Sequence, residues 1–99
     1  MIVRMVRMTF KPEEVSRFLA LYTSIAPKIK AVEGCHSVGL YHDVDAEFTY
    51  ATISAWESKE ALESYRQSDF FKETWAKVKM MQSSKAVAHS YEIHPLQNS

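Results

Sequence analysis

Apolar side chains occupy both faces of the first segment of the chain. In residues 2–10, IVRMVRMTF, the even positions and the odd positions are both largely apolar. A strand that is apolar on both faces is covered on both sides in the folded protein. The pattern therefore predicts a first strand that lies between two packed layers.

Helical spacing begins directly after this strand. In the segment KPEE, proline suits a first helical turn, and the two glutamates complement the positive end of the helix dipole. Pro27 is expected to kink this helix or to end it early, and Gly34 is expected to close it with a left-handed cap. Apolar residues repeat at helical spacing in between, at Val15, Phe18, Leu19, Tyr22, Ile25, Ala26 and Ile29.

Two strands, two short helices and a last strand follow. The segments CHSVGLYHDV and EFTYATISAW are typical of strands, with a hairpin loop at DVDA between them. Ser58 is the expected N-cap of a short helix through Tyr65, and Ser68 with Asp69 is expected to cap another. The segment AVAHSYEIH predicts the final strand.

The order β-α-β-β-α-α-β predicts an α+β, ferredoxin-like fold. In this βαββαβ arrangement, whose second helix is split in two, the helices cover one face of a four-stranded antiparallel sheet. The other face would be left exposed and apolar, so we expect a homodimer packed sheet to sheet, with Tyr50 facing the partner. Residues 1–95 should form a single domain, and residues 96–99 a frayed tail.

Composition and charge exclude several classes of function. The chain has 12 basic and 12 acidic residues, so it lacks the positive charge that nucleic-acid binding needs, and no segment has the length of a membrane span. Its lone Cys35 cannot form an internal disulfide, which favours a reducing cytoplasm. We find no spacing of metal ligands and no glycine-rich phosphate loop, so we expect neither a metal nor a redox cofactor.

Three segments resemble the antibiotic biosynthesis monooxygenase domain family. They are VEGC at residues 32–35, AWESKEAL at 55–62, and SYRQSDFF at 64–71, which leads to Trp75. The resemblance, which covers roughly residues 1–94, implies a dimeric α/β barrel with a ligand cavity between the sheet and the helices of each subunit. The family includes cofactor-free oxygenases of aromatic polyketides or quinols, haem-degrading enzymes, an isomerase branch and members with no known reaction.

The resemblance argues against haem degradation by this chain. Haem-degrading members carry an asparagine, a tryptophan and a histidine at positions that hold Val6, Tyr65, and Trp75 or Lys77 here. None of these positions matches. Many other members carry histidines where this chain has Tyr65 and Phe70, so proton transfer by those histidines is not expected either.

Tyr65 and His89 are the candidate catalytic residues, and each has a structural alternative. The Tyr65 phenol on a cavity wall would bind a substrate oxygen or stabilise an oxyanion, or its ring would simply pack in the core. His89, on the apolar face of the last strand, would act as a base or would be a structural residue at the dimer seam.

Arg4, Val6, Phe70 and Trp75 are the candidate substrate-binding residues. Arg4 would steer an anionic substrate, or it would be a solvated strand end. Trp75 would stack on a ligand, or it would belong to a core stripe with Phe71 and Val78. Two functions therefore stay open. One is a cofactor-independent monooxygenase of an aromatic or quinol-like molecule, and the other is a non-catalytic dimeric barrel that binds a small hydrophobic molecule.

Overall fold

The chain forms a four-stranded antiparallel sheet with helices packed on one face, in a computed structural model that describes residues 1–98. The order of the elements confirms the α+β, ferredoxin-like prediction. They are β1 (Ile2–Thr9), a 3-10 turn (Pro12–Glu14), α1 (Val15–Lys30), β2 (Cys35–His42), β3 (Thr49–Trp56), α2 (Lys59–Arg66), α3 (Asp69–Met81), β4 (Val87–Glu92) and a final 3-10 turn (Pro95–Asn98).

The sheet places the first strand at its centre, in the spatial order β2-β3-β1-β4. In the paired register, Arg4 lies between Ser54 on β3 and Ser90 on β4, whereas Met5 lies between Ile53 and His89. Because successive side chains of a strand point to opposite faces, Arg4 faces the helices and Met5 the free side. The sheet therefore has one face that is covered by helices and one that is not.

The helices bury two apolar clusters against the sheet. In the first, the ring of Phe18 on α1 stacks on Phe10 with centroids 4.1 Å apart. In the second, Trp56 at the end of β3 is fully buried at 0% exposure. The buried members are Met8, Phe10, Phe18, Val78 and Met81 in the first cluster, and Ile25, Ile29, Trp56 and Leu62 in the second.

The prediction that Tyr50 faces a partner subunit is wrong. Its ring centroid lies 6.2 Å from that of Phe10 and 6.2 Å from that of Phe18, so Tyr50 packs under the helices. Alternation along a strand separates two faces but does not say which of them the helices cover. The free face instead carries small and aliphatic side chains of the central strands, namely Val3, Met5, Ala51, Ile53 and Ala55.

The first helix continues through its proline, so the prediction of an early end is wrong. Helix α1 runs to Lys30 with Pro27 inside it. Ile25 and Ile29 are buried on either side of Pro27, and their packing offsets the hydrogen bond that proline cannot donate. Gly34 has the expected left-handed conformation, with φ of 86°, and a Cβ there would lie 2.5 Å from the Cβ of Ala61.

The short helices begin at the predicted caps. The Ser58 hydroxyl accepts the backbone N–H of Ala61 at 3.1 Å, and the Ser68 hydroxyl accepts that of Phe71 at 3.2 Å. Each bond satisfies an N–H group that has no partner within its helix. These two caps fix where α2 and α3 start, and so set the position of the aromatic residues on the two helices.

The C-terminal end contains the 3-10 turn Pro95–Asn98, and Ser99 of the predicted tail lies outside the described residues. Fraying of residues 96–99 stays a prediction. Within the part of the chain that the structure describes, no helix is both long enough and apolar enough to cross a lipid bilayer.

Phe71 is only half buried, which differs from the prediction that it belongs to the core. We therefore expect Phe18→Ala to lower the free energy of unfolding by about 3–5 kcal/mol, since Phe18 is 2% exposed and its removal leaves a cavity. Phe71→Ala should cost clearly less. Denaturant unfolding of both variants measures the difference, and equal losses would place Phe71 in the core after all.

Candidate functional site

A cavity of about 80 Å³ lies between the helix-covered face of the sheet and the helices. The sheet contributes Arg4 and Val6 from β1, and the helices contribute Tyr65 and Trp75. Sites that enclose drug-sized ligands measure roughly 300–1,000 Å³, so this cavity suits a single small ring. Four of the six residues that the sequence singled out thus line one space.

Aromatic rings form one wall of this cavity. Tyr65 stacks on the buried Trp56 with centroids 4.8 Å apart, and the ring of Phe71 meets Tyr65 at 5.1 Å and 72°. Phe71 in turn lies parallel to Trp75 at 6.4 Å. The break between α2 and α3 therefore lets the rings of both helices form one continuous series, in which Tyr65 and Trp75 reach the cavity.

Arg4 is the charged residue of the lining, and its guanidinium has no partner among the described residues. The nearest carboxylate that acts on it, Glu63, is already engaged by Arg66 at 3.2 Å and by Gln67 at 3.0 Å. Burial and the charge of Arg66 lower the pKa of Arg4, but a guanidinium is not deprotonated in proteins, so it keeps its positive charge. The cavity therefore contains an unpaired positive charge.

Tyr65 presents a free hydroxyl close to this charge. Its side chain makes no hydrogen bond to any described residue, although its backbone carbonyl accepts one from Ser68. Burial raises the pKa of Tyr65 to about 12, even though the charge of Arg4 acts to lower it. The phenol is therefore neutral at physiological pH. It can donate a hydrogen bond to an oxyanion, but it cannot take a proton from a substrate.

Three more polar side chains of the lining were not found from the sequence. They are Thr52 and Ser54 on β3 and Thr74 on α3. Ser54 and Thr52 stand opposite Arg4 and Val6 in the strand register, which is a long-range pairing that no local pattern reveals. The Ser54 hydroxyl accepts the Trp56 indole N–H at 2.9 Å, so it orients the buried ring behind Tyr65.

His89 and Phe70 do not line the cavity. His89 pairs with Met5 on the uncovered face of the sheet, and all of β4 is exposed in the single chain. The expectation of a buried histidine beside Val87 is therefore wrong for one subunit, because the helices do not reach that face. Phe70 packs against the second cluster and meets Tyr65 at 6.4 Å, so it supports the tyrosine from behind.

Residues able to bind a metal are missing from the described lining. It has no histidine, cysteine, aspartate or glutamate, and residues 1–98 contain no cluster of three or more such side chains placed to bind a metal ion. Val6, Tyr65 and Trp75 all line the cavity, whereas Lys77 does not. Burial raises the pKa of the half-buried Cys35, so its thiol is protonated at neutral pH and is not the thiolate that binds metals.

Tyr65 makes the folding stability sensitive to high pH. Its pKa is about 12 in the folded chain and about 10 in an unfolded one, so the folded state holds a proton that the unfolded state loses. We expect the free energy of unfolding to be unaffected below pH 10 and to fall as the pH rises towards 12. Tyr65→Phe should reduce that fall. Chemical denaturation of the wild type and of this variant between pH 8 and pH 12 tests this expectation, and identical profiles for the two proteins would contradict it.

Known structures share this fold over nearly the whole chain. An antibiotic biosynthesis monooxygenase is 19% identical, with 96% of this chain and 100% of that chain covered at a TM-score of 0.87. A Mycobacterium tuberculosis protein is 20% identical over 94% of both chains at 0.85. A conserved protein from Methanosarcina mazei is 23% identical over 94% of this chain and 93% of that one at 0.87. Identities this low establish the fold and no more.

The sequence itself matches a family model. No curated protein matches the chain. The model described as antibiotic biosynthesis monooxygenase, by contrast, matches residues 1–77, which contain β1 to β3, both short-helix caps and every cavity residue named above. The chain therefore belongs to the antibiotic biosynthesis monooxygenase family.

Proposed function

We propose that the protein is a cofactor-independent monooxygenase that acts on an aromatic, quinol-like molecule. The observation that carries this proposal is the pair formed by Arg4 and Tyr65, whose polar groups face the same largely apolar cavity without partners among the described residues. A partly buried charge without a partner costs some stability, so its retention is expected at a functional site. A phenolate oxygen is the chemical group that such a pair would bind.

In the proposed reaction, a phenol and O₂ give a quinone and water. Arg4 favours loss of the phenolic proton, and Tyr65 donates a hydrogen bond to the resulting oxyanion. A ring carbon that carries a hydrogen, next to or opposite that oxygen, forms a C–O bond to O₂ and loses its hydrogen as a proton. The O–O bond then breaks, and the outer oxygen leaves as water with the two protons. The substrate supplies all the electrons, so no redox cofactor is required.

The protein contributes position and electrostatics to this reaction. The described lining offers no general base, and the phenolic proton passes to water. The stacked series from Trp56 to Trp75 holds a flat ring beside Arg4 and keeps the reacting carbon in an apolar space. The rate should therefore follow ionisation of the substrate, rising with pH.

Oxygen-uptake measurements test the proposal. Purified protein with ¹⁸O₂ and a panel of hydroquinones and 1-naphthol should give a quinone that contains one ¹⁸O atom, with no hydrogen peroxide. Equal amounts of peroxide and consumed oxygen would indicate simple autoxidation instead. Tight ligand binding without any oxygen uptake would favour the second function, a non-catalytic barrel that binds a small hydrophobic molecule, for which the missing base in the lining is the supporting observation.

We propose further that the working form is a cytoplasmic homodimer. The uncovered face of the sheet carries exposed Val87, Tyr91 and Tyr41 beside the aliphatic residues of β1 and β3. Soluble monomers rarely expose an apolar face of this kind, and a second copy of the chain would cover it and His89 together. The lone Cys35 supports a reducing compartment.

Haem should not be a ligand of this protein. Neither the cavity lining nor α2 and α3 offer an iron ligand of the histidine or cysteine type. We expect titration of the purified protein with haem to give no saturable Soret shift. A shift that saturates at one haem per chain would contradict this expectation.

A further inference from the structure

A second, larger pocket adjoins the cavity on the other side of Trp75. It measures about 590 Å³ and lies where α3 ends and the chain returns to β4, around Lys79, Ser83 and Lys85. Among the described residues, Trp75 is the lining residue that this outer pocket shares with the inner cavity. Trp75 therefore borders both spaces.

The two spaces differ in size and in chemistry. The inner cavity, at about 80 Å³, is mostly apolar, whereas the outer pocket has the volume of a site for a drug-sized ligand. Its described lining contains Lys79 and Lys85 and no carboxylate. Neither ammonium group makes a hydrogen bond or an ion pair with a described residue. The outer pocket is therefore suited to an anionic group.

We propose that the two spaces are subsites of one binding site, with Trp75 as the gate between them, and that the ligand is a multi-ring aromatic acid. One ring occupies the inner cavity beside Tyr65, and the carboxylate remains in the outer pocket at Lys79 and Lys85. A molecule of several rings exceeds the inner cavity, so in this proposal its other rings lie beyond Trp75, and the indole moves aside to admit them.

The position of Trp75 is compatible with such a movement. It is half buried, and its ring lies parallel to that of Phe71 at a centroid distance of 6.4 Å, which is wider than a close stack. Buried Val78 one turn further along α3 anchors the helix, so the side chain can change rotamer while the backbone stays in place. This proposal rests on the proposed function in one respect: it assumes that a ligand binds in the inner cavity.

Binding of matched probes tests the outer subsite without any need for turnover. The probes are anthraquinone-2-carboxylate and its neutral carboxamide, titrated against the full chain by calorimetry. We expect the carboxylate to bind about fivefold more tightly at low salt, since exposed charge pairs contribute little in water. The double variant Lys79→Gln/Lys85→Gln should abolish this preference and leave the carboxamide unaffected.

A matched control separates the subsite from the overall charge. Lys72→Gln/Lys77→Gln removes the same charge from exposed positions, both on α3 and outside both pockets. This control should keep the preference for the carboxylate. The outer subsite would be overturned if the control variant lost the preference for the carboxylate. It would also be overturned if Lys79→Gln/Lys85→Gln weakened both probes equally, or if either probe failed to bind.

Association kinetics test the gate. By stopped-flow measurement, Trp75→Phe should speed the association of anthraquinone-2-carboxylate several-fold, and that of single-ring benzoate much less, because a larger ligand needs a wider opening. Equal acceleration of both probes, or none, would remove Trp75 as the gate. If the probes bind selectively but quinols cause no oxygen uptake, only the monooxygenase proposal is refuted. If quinols are oxidised but neither Trp75→Phe nor the lysine variants have any effect, only the gated double site is refuted.

Discussion

Arg4→Met is expected to lower kcat/KM for quinol oxidation by about a hundredfold, the effect of removing one group that stabilises a developing oxyanion. Most of the loss should appear in kcat. The apparent pKa of the rising pH profile should move upward by about one unit or more, because a nearby positive charge favours the phenolate. Methionine fills the same space without the charge, so the measurement isolates the electrostatic contribution.

Two further variants make this result specific. Arg4→Lys retains a positive charge and should recover part of the activity and most of the pKa shift. Arg66→Met removes a charge that acts on Arg4 from outside the cavity lining and should change kcat/KM only slightly. Arg4→Met should also raise the free energy of unfolding slightly, because the partly buried guanidinium has no partner among the described residues. A catalytic loss in Arg66→Met as large as that in Arg4→Met would show that the general charge, not Arg4, matters.

Ile53→Lys is expected to convert the protein from a dimer into a monomer of 11.4 kDa. Ile53 lies on the uncovered face, opposite Met5 on β1 and Gly39 on β2, so a charge there would be buried at the centre of a sheet-to-sheet interface. A buried, unpaired charge costs several kcal/mol, which should raise the dimer dissociation constant on the order of a thousandfold. Light scattering at micromolar concentration measures the mass.

Val44→Lys is the matched control for the assembly. Val44 is 95% exposed in the β2–β3 loop, so the same charge added there should leave the dimer intact. A wild-type protein of monomer mass, or an Ile53→Lys variant that remains a dimer, would show that the uncovered face is not the interface.

Local patterns in the sequence determined the elements of the fold. The two serine caps, the helical spacing from Val15 to Ile29 and the left-handed Gly34 are each decided within a few residues of the chain. Their physical causes are local as well, namely unsatisfied N–H groups, helical periodicity and the freedom of glycine at positive φ. The sequence could also select Arg4, because it interrupts the apolar pattern of the first strand, and Val6, Tyr65 and Trp75 through the family resemblance.

Long-range packing decided how these elements are used. The packing of whole elements decides which face of the sheet the helices cover. It therefore also decides that Tyr50 points towards the helices and His89 away from them. The pairing of Arg4 with Ser54 depends on strand register, and the shared wall at Trp75 depends on two spaces that meet only in the folded chain. Period-two alternation gives two equivalent faces, and only the tertiary structure makes one of them a cavity floor and leaves the other uncovered.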